Sequence, residues 1–387
     1  MNHFADNLLV GIVWGLLIAV IVALFIGLMC LLHFLLTLPM RRAERARLFL
    51  DLIDTAVKDG RPVEETLIAV SHSRARALGA RFHAVAAWLE QGVGLGEALE
   101  RVPRFVPPQI AAMLRAGQKL GDLSRVLPAC RQLLTDAPVE TRTVVPYVFM
   151  ITMATLPIAF FIFCVKTGAS DSSPARTMIE RLLSVGVTYG LRVPFFMQPA
   201  HSAELLGAQT AVMAALLLGA LLYLGGPRVA RWLPFVDRLN YWKPWRRKRM
   251  LRDFSTMLGI LLDSGVAEAE AIRLAADCTA NRVFQRRAEV VIGRLSQGVS
   301  LPEGVQSMDD AGEFGWRLRN AFHGRTRFLR ALTGWHEALD AKAFQQQQAA
   351  AHGITTAVVL WNGFFVAAIV TSVFYFLISI TNEGLLW

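Results

Sequence analysis

Residues 90–100 read EQGVGLGEALE, and residues 296–306 read SQGVSLPEGVQ. Taken alone, the first stretch suggests a phosphate cradle. Gly92, Gly94 and Gly96 fall at alternate positions ahead of a helix start, where bare backbone N–H groups can hold an anion. The surroundings argue against this. A dinucleotide fingerprint follows a strand, whereas ARFHAVAAWLEQG (80–92) reads as a helix ending at Gly92. A Walker loop ends in Lys-Ser/Thr, and Glu97-Ala98 stand there instead. The second stretch keeps only the first glycine and places Pro302 where Gly96 stands. What both share is Gln-Gly-Val-x-Leu: a helix stop, a short turn with a buried Leu, and a new helix. Gly92, Leu95, Gly298 and Leu301 are the common part.

The likeness extends outward. FLDLIDTAVKDGRPVEETL (49–67) matches FSTMLGILLDSGVAEAEAI (254–272). Phe49 pairs with Phe254, Asp59-Gly60 with Ser264-Gly265, and an acidic helix start follows each. This is an internal repeat of roughly a hundred residues. Phe49, Leu50, Ile53, Val57, Leu67 and Val70 recur at helical spacing. Gly60 and Gly265 stand where a helix C-cap takes positive φ, and Pro62 suits a first helical turn. No stretch alternates long enough for a half-buried strand. Gly60, Gly92, Gly265 and Gly298 are therefore expected as structural turns.

Composition places these repeats in a membrane protein. The chain has 387 residues, is 54% hydrophobic, and has a mean hydropathy of +0.42, too apolar for an ordinary soluble domain. Four uncharged stretches reach the roughly 20 residues that a bilayer span needs: 8–38, 144–165, 205–226 and 354–380. A cleaved signal peptide does not fit the first, because residues 1–7 carry no Lys or Arg and the apolar run is too long. Pro146 and Pro157 are expected to kink the second. The spans hold no Asp, Glu, Lys or Arg, so no charged relay is visible. Asn362, Gln209 and His33 are expected to hydrogen-bond between helices.

The formal net charge of +10 concentrates beside these stretches. Arg41, Arg42, Arg45 and Arg47 follow the first. Residues 227–252 carry Arg228, Arg231, Arg238, Lys243, Arg246, Arg247, Lys248, Arg249 and Arg252 against Asp237 as the only acid. The positive-inside rule makes both flanks cytoplasmic. The expected order is span 8–38, cytoplasmic bundle 41–143, span 144–165, periplasmic loop 166–204, span 205–226, cytoplasmic basic segment and bundle 227–353, and span 354–380. Both termini are then periplasmic. The fold class is an all-α integral membrane protein with two repeated cytoplasmic helical bundles and four transmembrane helices. Arg41, Arg42, Arg45, Arg246, Arg247, Lys248 and Arg249 are expected to meet the lipid bilayer or a partner. NYWKPWRRKRM (240–250) mixes aromatics with cations as nucleic-acid platforms do, but its place beside a span favours interface anchoring, and no nucleic acid is expected.

Other chemistry finds little support. HEALD (336–340) begins like a zinc helix, but Asp340 replaces the second His. His72 and His83 have no acidic or thiol neighbour in sequence. Cys30, Cys130, Cys164 and Cys278 form no CxxC pair and read as small buried hydrophobes.

DGRPVEETL, EQGVGLGEALERVPRFVPPQIAAMLRAGQKLGDLSRVL and DSGVAEAEAI with SQGVSLPEGV resemble the inner-membrane platform proteins of type II secretion systems and type IV pili. The resemblance covers about residues 41 to 381. In that family each repeat carries a third element with a Gly-Glu acid and a second glycine. Here GQKLGDL (117–123) has Gln118 at the acid, and HGRTRFL (323–329) has Gly324 and Arg327 at those positions. An ionic role there is not expected. The family also begins with a soluble stretch and has three spans, whereas a fourth span stands here. The resemblance implies a protein with no active site, cofactor or metal of its own. It would dock a cytoplasmic hexameric ATPase, contact pilins or pseudopilins and inner-membrane alignment proteins, and form a homo-oligomer. The alternative is a polytopic transporter or channel with cytoplasmic helical regulatory domains.

Overall fold

The computed structural model describes residues 41–73, 78–134, 235–309, 311–324 and 326–384, with scattered positions in 23–38 and 204–222. Among the described residues there is helix and turn but no strand. The first repeat runs α1 (41–58), α2 (Val63–His72), α3 (Ala80–Glu90), α4 (Leu95–Arg101), α5 (Pro108–Leu120), a 3-10 turn (Leu123–Arg125) and α6 (127–134). After α7 (Phe235–Trp242), the second repeat runs α8 (Pro244–Asp263), α9 (Glu268–Asp277), α10 (Arg282–Ser296), α11 (Leu301–Gly304) continued by a 3-10 turn (Val305–Met308), α12 (Glu313–Gly324) and α13 (Phe328–Gly384). The elements of the two repeats correspond in order.

The helices form because their apolar residues fall on one stripe. In α1, Ala43, Ala46, Phe49, Leu50, Ile53 and Ala56 are all buried. Phe49 meets Phe105 at 5.0 Å and Phe82 at 6.5 Å between ring centroids. In the second repeat Phe254 meets Phe284 at 5.2 Å and Phe314 at 6.1 Å. Each repeat is thus built on a trio of phenylalanines, and each such ring contributes roughly 1.5–3 kcal/mol by leaving water.

The chain divides into two compact units. One comprises residues 1–142 with 224–344 and so contains both repeats; the other comprises 143–223 with 345–387. Within the first unit the repeats are fused. α5 packs on α9, and the buried apolar residues of both repeats form one continuous cluster. Two bundles expected from sequence therefore share a single core.

Taken over the described residues, no helix is both long and apolar enough to cross a membrane. Of the expected spans, 144–165 lies outside the described residues, as do the loop 166–203 and Gln209. Segments 8–38 and 205–226 are described only in part, and 354–380 is helical with many side chains outside the description. The described part of 354–380 exposes large apolar side chains, with Leu360 69% and Phe364 67% exposed. Asn362 donates to Val358 O of its own helix at 3.1 Å. Cys130 and Cys278 are buried, but Cys30 is exposed, unlike the expectation, as are its described neighbours Ile26, Leu31 and Phe34. Cys164 lies outside the described residues.

Candidate functional site

The four turn glycines take the same geometry. Gly60, Gly92, Gly265 and Gly298 have φ of 65, 80, 79 and 89°. At each, the glycine N–H and the following N–H reach back into the last helical turn: Gly60 to Val57 O and Arg61 to Ala56 O, Gly92 to Leu89 O and Val93 to Trp88 O. The second repeat does the same with Gly265 to Leu262 O, Val266 to Leu261 O, Gly298 to Leu295 O and Val299 to Arg294 O. This is the Schellman closure, which satisfies carbonyls that would otherwise be orphaned. A Cβ at any of the four would meet nothing within 4 Å. The left-handed backbone, rather than space, requires glycine there.

At Gly94 and Gly96 a neighbouring side chain, rather than the backbone, sets the limit. Their φ values are not left-handed, but a Cβ on Gly94 would come within 2.9 Å of Gln118 Nε2. One on Gly96 would come within 3.0 Å of Gln118 Oε1 and 3.2 Å of Arg115 Cγ. The Gly96 N–H donates to Gln118 Oε1 at 2.9 Å. The loop therefore receives a side chain of α5, not a phosphate. Gly96→Ala should destabilise the purified chain by about 1–3 kcal/mol through overpacking. The penalty should fall in a Gln118→Ala background, read as coupling in a double-mutant cycle.

A buried polar joint ties α8, α13 and the first repeat together. The α8 helix is covered on most sides, which carries Arg252 inside; it is 1% exposed. Its Nε and Nη2 donate to Asp253 Oδ1 at 2.9 and 2.6 Å, and its Nη1 pairs with Asp340 Oδ1. Asp340 Oδ2 accepts from Gln132 Nε2 of the first repeat at 3.2 Å. Alongside, His336 Nε2 lies 2.8 Å from Ser255 Oγ, which also donates to Arg252 O. Asp263 at the end of α8 accepts the backbone N–H groups of Phe328 and Leu329, capping the start of α13. Gly259 permits that approach, since a Cβ there would lie 3.3 Å from Leu329 backbone. Arg125 Nη1 donates to Ser264 Oγ at 2.9 Å, a further link between repeats.

The HEALD segment thus serves this joint. Among the described residues no three metal-ligating side chains converge. His336 is pushed down to about 4, first by burial and then by Arg252 and Arg317. An unfolded chain takes up that proton near 6.5. The contribution is therefore fully present above pH 6.5 and is lost as the pH falls from 6.5 towards 4. Asp237 and Asp277, held above the usual carboxylate range by burial, act in the opposite direction. The difference between wild type and His336→Gln isolates the histidine: denaturation curves of the variant should show less loss between pH 6.5 and 4. His72, without a partner in sequence, receives Glu90 at 3.0 Å.

The basic flanks gather further cations in space. Arg41 lies 5.1 Å over the Phe34 ring. Arg42 is half-buried and held below the ordinary guanidinium range by burial and by Arg81, Arg104 and Arg45. Arg45 is exposed. In α8, Arg246 donates to Asn240 Oδ1 at 3.0 Å, and Arg247 lies 5.9 Å from the Tyr241 ring, which also receives Arg287 at 4.7 Å. Lys248 is lowered by burial, Lys342 and Arg247, and Arg249 is half-buried. Arg81, Arg104, Arg287 and Lys342 join these clusters only through the fold; their isolated places in sequence give no signal.

Fold and joint together define a class: a duplicated all-helical scaffold whose two repeats fuse into one core. The family model for type II secretion system protein F matches residues 49–165 and 254–376, one match for each repeat. The chain belongs to that family. The type II secretion system protein F of Pseudomonas aeruginosa is 24% identical over 276 residues, 67% of this chain and 63% of the relative. The chain thus spans 63% of the length of the curated relative it matches.

Proposed function

We propose that this chain is a non-catalytic inner-membrane platform of a type II secretion or type IV pilus machine. The fused repeat unit faces the cytoplasm, docks a hexameric ATPase and transmits its motion to the extraction of pilins or pseudopilins from the bilayer. The spans 8–38, 144–165, 205–226 and 354–380 cross the membrane, with both termini periplasmic. Inner-membrane alignment proteins and further copies of the chain complete the contacts. The observation that carries this reading is the double family match, each half of which starts in the first helix of a repeat and runs into an uncharged stretch. Cross-linking from the repeat unit in native membranes should capture the ATPase, and deleting the chain should abolish fibre assembly while the ATPase persists. ATP hydrolysis by the purified chain alone, or fibre assembly that survives the deletion, would overturn the proposal.

A further inference from the structure

Four arginines gather at the start of the first repeat with no acid to answer them. Arg42 and Arg45 stand one turn apart on α1. Phe49 of the same helix packs on Phe82 and Phe105, so their chain neighbours Arg81 and Arg104 are carried to α1. Arg81 Nη1 donates to Arg104 O at 3.0 Å. The Arg45 guanidinium covers Gly79, the residue before α3, where a Cβ would lie 3.6 Å from its Nη1. Arg42 is half-buried among them, and burial, Arg81, Arg104 and Arg45 all oppose its charge. Elsewhere in the repeat arginines are paired: Arg101 with Glu97, Arg115 with Glu100, Arg125 with Asp122, and Arg131 with Asp51 and Asp54. Among the described residues no carboxylate pairs with Arg42, Arg45, Arg81 or Arg104, Glu44 beside them included.

Like charges held together weaken a fold, and an anion placed among them removes that cost. The guanidinium fork matches the oxygens of a phosphate two at a time. A carboxylate is used up by one such fork, whereas a phosphate has oxygens left for a second arginine. Arg42 follows the uncharged segment 8–38 by four residues, so a headgroup phosphate and a soluble phosphate are both sources of this chemistry. We propose that Arg42, Arg45, Arg81 and Arg104 form a binding site for a phosphate group, carried by an anionic lipid headgroup or by a small soluble phosphate. The site lies within the repeat unit and does not depend on the platform reading.

The test uses the full chain purified in an uncharged maltoside detergent and washed free of lipid and phosphate. Thermal melts are taken with inorganic phosphate, with phosphatidylglycerol in the micelle, or with sodium chloride at matched ionic strength. With at least one phosphate source the wild type should melt about 2–4 °C higher than in chloride. Arg42→Gln/Arg45→Gln should lose that shift, yet melt no lower than wild type without ligand, because the repulsion is relieved. Arg42→Lys/Arg45→Lys keeps the charge without the fork and should need about tenfold more ligand. Arg45→Gln alone, at an exposed position, repeats the test should the double variant not fold. A shift with phosphatidylglycerol alone identifies a headgroup site, one with inorganic phosphate alone a soluble-phosphate site, and one with both a site that reads only the phosphate. No shift from either source, or an equal shift in wild type and the glutamine variants, would overturn the inference. So would a shift from a polyglutamate peptide alone, the sign of an acidic protein partner, or a fall in the ligand-free melting of Arg45→Gln, which would assign the arginines to the fold.

Discussion

Arg252→Ala is expected to cost about 3–5 kcal/mol, the range for breaking a buried ion pair by removing one partner. The guanidinium is 1% exposed and satisfies Asp253 and Asp340 together. Its loss leaves two carboxylates facing a void on α8. Asp340→Ala should cost less, because Arg252 retains Asp253 and because Asp340 is 35% exposed and partly solvated already. Arg252→Met, which refills the space but not the charge, should fall between the two. Thermal melts of the detergent-purified chain give the order; equal melting temperatures for Arg252→Ala and wild type would show that the joint contributes nothing.

The second large effect concerns the shared core. Phe254→Ala and Phe49→Ala each remove a fully buried ring from a phenylalanine trio, and each should cost about 3–5 kcal/mol. More telling is the form of the transition. Because the repeats belong to one compact unit with one continuous core, either substitution should lower the melting of both repeats together. Tryptophans report the two halves separately: Trp88 lies in the first repeat and Trp335, stacked on Phe314 at 5.3 Å, in the second. Single-tryptophan variants should show coincident curves for Phe49→Ala. Two separated transitions would mean that the repeats fold as independent bundles.

How far the fold was legible follows from the kind of signal each feature leaves. The Schellman glycines were readable because left-handed backbone is a local requirement, met by the same residue wherever the turn recurs. The amphipathic stripe of α1 was readable for a similar reason, since helical periodicity lies within a few residues. The sequence rejected a nucleotide motif at Gly94 and Gly96 but gave them no other role, because what they accommodate, Gln118 and Arg115, sits some twenty residues away on another helix. The HEALD segment looked like an incomplete metal site, and nothing nearby in sequence pointed to Arg252. Its partner lies 88 residues distant, and an arginine within a basic run carries no sign that it will be buried.

The sequence by itself determined the helices, their stops and the duplication, because capping, periodicity and repeat spacing are short-range constraints. It also carried the family, since the same motifs recur in order in both copies. Only the tertiary structure decided that the two repeats share one core, that Arg252 turns inward to join α8, α13 and Gln132, and that α7 hides Asp237 while exposing Phe235, Leu239 and Trp242. Those outcomes depend on which faces meet after the chain has folded back on itself. Burial and long-range pairing are properties of that meeting, and no window of the sequence contains them.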